Sequence, residues 1–157
     1  MLRGVIHYKG DAKVARKAQA GIVKEAMAAA IDWWHQDRLP LHFKRGASFR
    51  YKYRKRNAKY LKQKMRKLGH TQDLVLSGKM QRMVTSRIKI TSNRKGGRGA
   101  LYGPTYLYQH RRDMSDPDKA AELTTTTRKE VLDMAKLVDK HVTGKLEKLP
   151  QKRTERV

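Results

Sequence analysis

Apolar residues recur at intervals of three or four in two long stretches, one near each end of the chain, and predict two amphipathic helices. The first runs from about residue 12 to 35 and the second from about residue 128 to 149. The apolar stripe of the first consists of Val14, Ala18, Ile22, Ala26, Ala29 and Trp33. The stripe of the second consists of Val131, Met134, Ala135, Val138, Val142 and Leu146. Each is typical of a core-facing helix, and a coiled-coil seam is the alternative for the first.

Residues that start or stop helices lie at the ends of both stretches. Asp11 is suited to cap the first helix, and the segment from Thr127 to Glu130 has the capping-box pattern for the second. Pro40 ends the first helix and predicts an extended segment at residues 39–41, and Pro150 ends the second. Both predicted helices therefore have defined boundaries.

A third, shorter helix is predicted from about residue 54 to 68, because its apolar residues keep helical spacing. Those apolar residues are Ala58, Leu61, Met65 and Leu68. Gly69 follows directly, as is typical of the residue after a helix C-terminus. The other faces of this helix are strongly basic, so in isolation its charges would repel one another.

Beyond the third helix the apolar period changes to two, which predicts antiparallel strands. The inward side of the first strand would carry Met80, Val84, Ile88 and Ile90. The glycine-rich residues 93–99 predict a loop, and residues 100–109 predict the returning strand, with Pro104 at a sheet edge or bulge. Two β-prone runs, at residues 2–8 and 124–127, predict short additional strands.

These elements together predict an α+β domain in which two long amphipathic helices pack on a small antiparallel sheet. The length of 157 residues fits one domain. We expect that domain to cover residues 1–150, with the basic segment 38–112 inserted between the flanking helices as a helix and loop excursion. Residues 151–157 are expected to form a flexible C-terminal tail.

The net charge of +24 is concentrated in the middle of the chain. Residues 38–112 carry 22 Lys and Arg against a single acid, Asp73, whereas the two ends are nearly balanced. A solvated protein surface usually mixes the two signs of charge. The imbalance therefore predicts a polyanionic partner, either nucleic acid or an acidic protein.

The basic residues divide into a main candidate contact surface and a second one. The main set consists of Arg54, Lys55, Arg56, Lys59, Lys62, Lys64, Arg66 and Lys67. The second set, in the glycine-rich loop, consists of Arg94, Lys95 and Arg98. That loop either follows a phosphate backbone or is a solvated hairpin loop. We expect reversal of Arg56, Lys59 and Arg66 to Glu to abolish polyanion binding while the domain stays folded.

The tyrosines among these cations, Tyr51, Tyr53 and Tyr60, have two interpretations. They either stack on bases or anchor the basic segment to the core through their rings. No helix-turn-helix, zinc-finger or RNP motif is recognisable, so contact is expected with a nucleic-acid backbone or with shape, not with base edges.

The sequence offers little for catalysis. The absence of cysteine excludes disulfides, thiolate nucleophiles and cysteine-based metal sites. The six histidines form no H-E-x-x-H pair, and phosphate-loop and G-x-S-x-G motifs are absent. Residues 116–118 (DPD) read as a turn. We therefore expect no enzymatic activity, cofactor, metal or small-molecule substrate. Because no stretch approaches 18 apolar residues and residues 1–11 lack a signal-peptide run, we also expect no membrane partner.

The order of several short motifs is informative. In chain order they are LPLHF at residues 39–43, an Arg/Tyr/Lys block that ends in KLGH at 67–70, LVLSGKM at 74–80, YGPTY at 102–106, and a closing helix after Glu130. This order resembles small tailed-phage morphogenesis proteins of the tail-completion or head–tail joining (neck) type. The resemblance spans most of the chain and depends on the order of the motifs.

The resemblance implies a non-enzymatic virion subunit that is made in the host cytoplasm. Several copies would form a homo-oligomeric ring at the head–tail junction, in contact with portal or connector and tail proteins and, non-specifically, with DNA. In the family such channels are more often neutral or acidic, so the basic segment could instead bind an acidic portal or a neighbouring subunit. The alternative, based on charge alone, is a basic RNA-binding protein of ribosomal type.

Overall fold

The computed structural model describes residues 12–72, 74–75, 78–104 and 119–148, with side chains from residue 17 onward. The predicted strand at 2–8, the cap at Asp11, the turn at 116–118 and the tail at 151–157 lie outside the described residues. The described part contains six α-helices, a two-stranded sheet and two irregular helical turns.

Helix α1 (Ala12–Trp33) confirms the first predicted helix and continues into one π-helical turn (Trp34–Arg38). Its apolar stripe differs from the predicted one, since Ala18 and Ala29 are exposed and Ala30 is buried beside Ala26. The physical reason is that α1 has two neighbours, the sheet on one side and the last helix on another. The buried residues of α1 are therefore those that face the sheet or the last helix, and they do not form a single straight stripe.

The predicted extended segment at residues 39–41 is wrong, because Leu39–Phe43 form a 3₁₀ helix. Pro40 lies in its first turn, where a missing N–H leaves no hydrogen bond unmade and the fixed φ suits a helix start. This turn buries Leu39, His42 and Phe43, so the segment contributes directly to the core.

Two helices follow in the basic segment, α2 (Ala47–Arg50) and α3 (Ala58–Leu68). The latter begins four residues later than predicted because the Asn57 side chain accepts a hydrogen bond from the Lys59 N–H at 2.8 Å and caps the helix. Gly69 ends it in the left-handed conformation, with φ of 69°, as predicted.

The predicted strand from residue 80 is half wrong. Lys79–Ser86 form helix α4, in which Met80 and Val84 are both buried, and β1 (Ile88–Asn93) begins only at Ile88. Apolar residues four apart fit a strand and a helix equally well, so the alternation at positions 80, 84 and 88 could not distinguish them.

Strand β1 pairs with β2 (Gly96–Leu101) as an antiparallel hairpin, with Ile88 opposite Leu101. The predicted loop at 93–99 is therefore reduced to the two-residue turn of Arg94 and Lys95, and the predicted returning strand ends at Leu101 within the described residues. Gly99 has a packing reason to lie in this strand. A Cβ there would lie 2.6 Å from Ile88 Cδ1 and 2.9 Å from Ile31 Cγ2.

The predicted strand at 124–127 is wrong as well. Thr124 ends helix α5 (Lys119–Thr124), and Thr127 caps helix α6 (Arg128–Leu146). The Thr124 hydroxyl donates to the Ala120 carbonyl one turn back, as β-branched hydroxyl residues in helices commonly do, and the Thr125 hydroxyl donates to Ala121 just beyond the helix end. The capping box of Thr127 and Glu130 is confirmed.

The α+β class is confirmed: α1 packs on the small antiparallel sheet and also runs along α6. Along α6 the residues Val131 and Ala135 of the predicted stripe are exposed, whereas the other four are half-buried. The main core consists of Trp34, Leu39, Phe43, Met80, Val84 and Leu123, and a second cluster consists of Ala47, Tyr51 and Tyr53. Within the described ranges, no helix has the length and apolar character needed to cross a membrane.

Candidate polyanion-binding surface

Helix α3 presents a continuous cationic face. Lys59, Lys62 and Arg66 are exposed and lie three, four and seven residues apart, so they project from one side of the helix. With Ala58 and Gln63 they line an open groove of about 350 Å³. No acidic residue occurs in the helix, so its charges are not neutralised locally. A groove lined by three cations is an arrangement that binds anionic groups.

Other predicted contact residues extend this face. Lys67 is exposed at the end of α3, and Arg54 and Lys55 are exposed in the irregular segment that leads into the helix. Six of the eight residues of the main predicted set therefore point to solvent. We call the exposed residues Arg54, Lys55, Lys59, Lys62, Arg66 and Lys67 the cationic surface.

Arg56, the first exception, faces the protein interior. Its Nη2 donates to Glu122 Oε2 at 2.5 Å, and the two side chains are only 11% and 10% exposed. This ion pair ties the basic segment to α5. The structure therefore places Arg56 apart from the exposed residues of the predicted contact surface, because an acid far along the chain already pairs with its guanidinium.

Lys64 is the second exception, because it is 4% exposed. Its Nζ donates to the carbonyl oxygen of Gln72 and lies 5.8 Å from the centre of the Tyr60 ring. The ammonium group therefore fixes the chain after α3 against the helix. The structure therefore places Lys64 apart from the exposed residues of the predicted set as well, since its ammonium group donates within the fold.

The second predicted set remains exposed. Arg94 and Lys95 form the hairpin turn, and Arg98 lies in β2. Asn93 Oδ1 accepts from the N–H groups of Lys95 at 2.8 Å and Gly96 at 3.1 Å, which fixes the turn. Because the hairpin packs on α1, this set is positioned independently of the segment that carries α3.

Sequence reasoning missed a buried polar cluster beneath the basic segment. His42 Nδ1 lies 2.5 Å from Tyr53 Oη, and the His42 ring stacks on Tyr51 with centroids 3.7 Å apart. Tyr51 Oη donates to Glu130 Oε1 at 2.8 Å. Tyr51 and Tyr53 are thus anchors of the basic segment, whereas Tyr60 is 43% exposed. The closely spaced tyrosines were the one available signal, and nothing in the sequence pointed to Glu130 as their partner.

The environment of this cluster sets its protonation states. Burial lowers the pKa of His42 to about 4, against the opposing influence of the Glu130 carboxylate and the Glu122 carbonyl. Burial and the hydrogen bond to Glu130 raise the pKa of Tyr51 to about 12. At neutral pH His42 is therefore uncharged and Tyr51 is a donor, which suits a structural role for both.

Arg38 provides a further connection between the basic segment and the end of the chain. Its Nη2 lies 3.2 Å from Asp133 Oδ2, and its guanidinium lies 4.7 Å from the centre of the Trp33 ring. Acids of α5 and α6 therefore reach the basic segment at three places, through Glu122, Glu130 and Asp133. All three contacts lie on the part of the segment that precedes α3.

Within the ranges for which the structure gives side chains, no group of three His, Asp or Glu lies close enough to hold a metal ion. Several large apolar side chains are exposed there, and Phe49 is the most exposed of them at 92%.

No family model, curated protein or solved structure matches this chain. The cationic surface is therefore the feature of the molecule that points to a function.

Proposed function

We propose that the chain is a non-enzymatic structural subunit of a tailed-phage particle, located at the head–tail junction, that binds a polyanionic neighbour through its cationic surface. The observation that carries the binding role is the exposed face of α3, where Lys59, Lys62 and Arg66 line a groove without an acidic residue in the helix. The order of the sequence motifs supports the place in the particle.

Electrostatics favours a bound state for this helix. Like charges at helical spacing repel and cost a few tenths of a kcal/mol per pair. An anionic partner removes that cost and gains opposite-charge contacts, so the same residues that weaken the isolated helix strengthen the complex. A ring of several copies would repeat the cationic surface around an axis and multiply its field.

The composition of the site supports assembly over catalysis. His42 is fully buried and forms part of the core that holds the basic segment. The groove on α3 is lined by three cations, Gln63 and Ala58, which offer binding but no activated nucleophile. We therefore propose that the chain acts by holding neighbouring components together.

Sedimentation of a lysate that contains the chain tests this proposal. The lysate is separated on a sucrose gradient and the chain is followed by mass spectrometry through every fraction. We expect it to travel with full particles, to remain there at high salt and to occur at the small fixed copy number of a ring.

The alternative function, RNA binding of ribosomal type, predicts a different distribution. The exposed turn of Arg94 and Lys95 favours it, because a basic loop can follow a phosphate backbone. In that case the chain would travel with ribosomal subunits or free RNA. It would also leave them as salt rises, because binding to phosphates weakens as counterions compete. That outcome would reject the phage proposal.

A further inference from the structure

Phe49 combines strong exposure with a fixed position. Its side chain is 92% exposed, although phenylalanine is among the residue types most often buried. It lies in the short helix α2, whose neighbouring residues Ala47 and Tyr51 are 2% and 3% exposed. Phe49 lies two residues from each of them, and residues two apart in a helical turn lie on nearly opposite sides, so Phe49 must point away from the core. The packing of α2 therefore directs the Phe49 ring outward.

Several backbone contacts hold this short helix in place. Gly46 starts it in the left-handed conformation, with φ of 85°. The Tyr51 N–H donates to the Ala47 carbonyl at 2.8 Å, and the Tyr53 N–H donates to the Ser48 carbonyl at 3.0 Å. Tyr51 is also hydrogen-bonded to Glu130, so the backbone is held on both sides of Phe49. The backbone that carries Phe49 is therefore fixed before a partner arrives, and little backbone entropy is lost on binding.

Exposed cations surround Phe49 along the chain. Arg50 is adjacent, Lys52 is three residues away and Arg45 is four residues away, and all three are exposed. A chain of four residues spans at most about 14 Å, so the backbones of these three residues lie within that distance of the Phe49 backbone. No acidic residue occurs between Asp37 and Asp73. The ring is therefore an apolar protrusion in a positively charged setting.

We infer that the polyanion of the proposed function is an acidic protein surface, and that Phe49 is the anchor residue that enters an apolar pocket on it. The inference depends on the proposed function, because it names the class of its partner. Interface centres are enriched in aromatic anchors that fill desolvated pockets, with charged groups at the rim. Phe49 with Arg45, Arg50 and Lys52 has this arrangement.

The exposure of Phe49 favours protein over nucleic acid. An aromatic platform for base stacking needs one open face and can rest on the protein with the other. The Phe49 ring is open on both faces and at its edge, so its burial needs a concavity that surrounds it. A second copy of this chain fits poorly as the occupant, because it carries the same net charge of +24.

Binding of the full chain to three fluorescent probes of equal negative charge tests this inference by anisotropy. The probes are a two-helix hairpin peptide of Glu and Leu whose helices enclose a Leu-lined cleft, a polyglutamate peptide and a single-stranded DNA, whose bases are free to stack. The variants are Phe49→Ala and, as the matched control, Leu132→Ala, which removes a 53% exposed apolar side chain from α6. We expect the wild-type chain to prefer the Glu and Leu peptide over polyglutamate by about tenfold, the effect of one good anchor.

We expect Phe49→Ala to remove this preference and to leave DNA binding unchanged, whereas Leu132→Ala keeps the preference. Equal affinity of the wild-type chain for both peptides would overturn the inference, and so would a preference that survives Phe49→Ala. A loss of DNA binding in Phe49→Ala would show a stacking role and would overturn it too. The variant Lys59→Glu/Lys62→Glu/Arg66→Glu separates the two proposals. If it binds every probe like the wild type, the proposed binding surface fails, whatever Phe49 does.

Discussion

Residues 38–56 and residues 57–69 have a similar density of positive charge and no acids, but the fold treats them differently. In the first part, Arg38 and Arg56 pair with Asp133 and Glu122, and Tyr51 donates to Glu130. In the second part, helix α3 keeps most of its cations in solvent. Acids from the end of the chain therefore reach the first part, whereas Lys59, Lys62 and Arg66 of the second part are exposed.

The difference between these parts shows that local charge in a sequence is a poor measure of charge in space. The contacts that connect the first part to the end of the chain join residues 66, 79 and 95 positions apart, and two of them are ion pairs of Arg56 and Arg38. Only the excess that tertiary structure leaves unpaired is available to a partner. Reversing the charge of a paired cation such as Arg56 should therefore affect folding, whereas the same change at an exposed cation of α3 should affect binding.

The largest effect on stability is expected for Arg56→Glu. The new carboxylate would lie against Glu122 in a nearly buried site, and breaking such a pair costs about 3–5 kcal/mol. Urea unfolding followed by circular dichroism measures the change. Lys55→Glu, next to it and exposed, should change the free energy of unfolding by less than about 0.5 kcal/mol. Equal losses in the two variants would remove the distinction between paired and unpaired cations.

This expectation revises the triple reversal suggested by the sequence. A variant that includes Arg56→Glu would lose its fold together with its binding, so it cannot report on binding alone. A triple variant that contains Lys62→Glu instead of Arg56→Glu changes three residues that are all exposed and all line the groove.

The next effect concerns pH. The pKa of His42 is about 4 in the folded chain and 6.5 in the ordinary imidazole, so the unfolded chain binds an extra proton between these values. The free energy of unfolding should therefore fall by about 3 kcal/mol as the pH drops from 6.5 to 4, at about 1.4 kcal/mol per pKa unit. Chemical denaturation at several pH values measures this slope.

The matched variant for the pH effect is His42→Gln, which keeps a polar side chain but does not titrate. The variant is expected to be less stable at every pH, so the quantity compared is the slope of the free energy of unfolding against pH and not its absolute value. The pH dependence between 6.5 and 4 should be weaker in the variant than in the wild type by the contribution of His42. A slope unchanged by the substitution would exclude His42 as the source.

A smaller effect is expected from Thr127→Ala. Thr127 Oγ1 accepts from the Glu130 N–H at 3.2 Å, and Glu130 Oε2 accepts from the Thr127 N–H at 3.0 Å. Loss of the cap should cost about 1 kcal/mol and loosen Glu130, the acceptor for Tyr51. Thermal unfolding measures the loss, with Thr126→Ala, an exposed neighbour outside the cap, as the control. If both variants unfold at the same temperature, the cap contributes nothing measurable.

The smallest effect on folding is expected for Lys59→Glu/Lys62→Glu/Arg66→Glu. These side chains are solvent-exposed, and each reversal should change stability by less than about 0.5 kcal/mol. Binding to a duplex DNA probe should nevertheless weaken, and the slope of log affinity against log salt should fall by about one for each phosphate contact removed. A salt slope equal to that of the wild type would show that α3 is not the contact surface.

Features controlled by local sequence were predicted well. The long helices α1 and α6, the capping box at Thr127 and the stop at Gly69 all depend on residues a few positions apart. The predicted strand at 80–86 failed because apolar spacing of four is compatible with both element types. Burial of Met80 and Val84 against the rest of the core selects the helix.

The candidate site was predicted in part, for a related reason. Composition identified the cationic stretch, and most of its side chains do face solvent. It could not separate Arg56 and Lys64 from the others, since their partners lie elsewhere in the fold and pair with them only once the chain is packed. Phe49 was also overlooked, because its exposure follows from the burial of Ala47 and Tyr51 on the opposite side of one helical turn.

The side-by-side packing of α1 and α6 has a consequence for the rate of folding. These helices come from opposite ends of the chain, so their docking closes a loop that contains the whole basic segment. Loop closure already costs entropy, and here it also compresses a net charge of +21 into a smaller volume. Dissolved salt screens that repulsion over about 10 Å at 0.1 M. The barrier to folding should therefore fall as ionic strength rises, and the chain should fold slowest in dilute buffer.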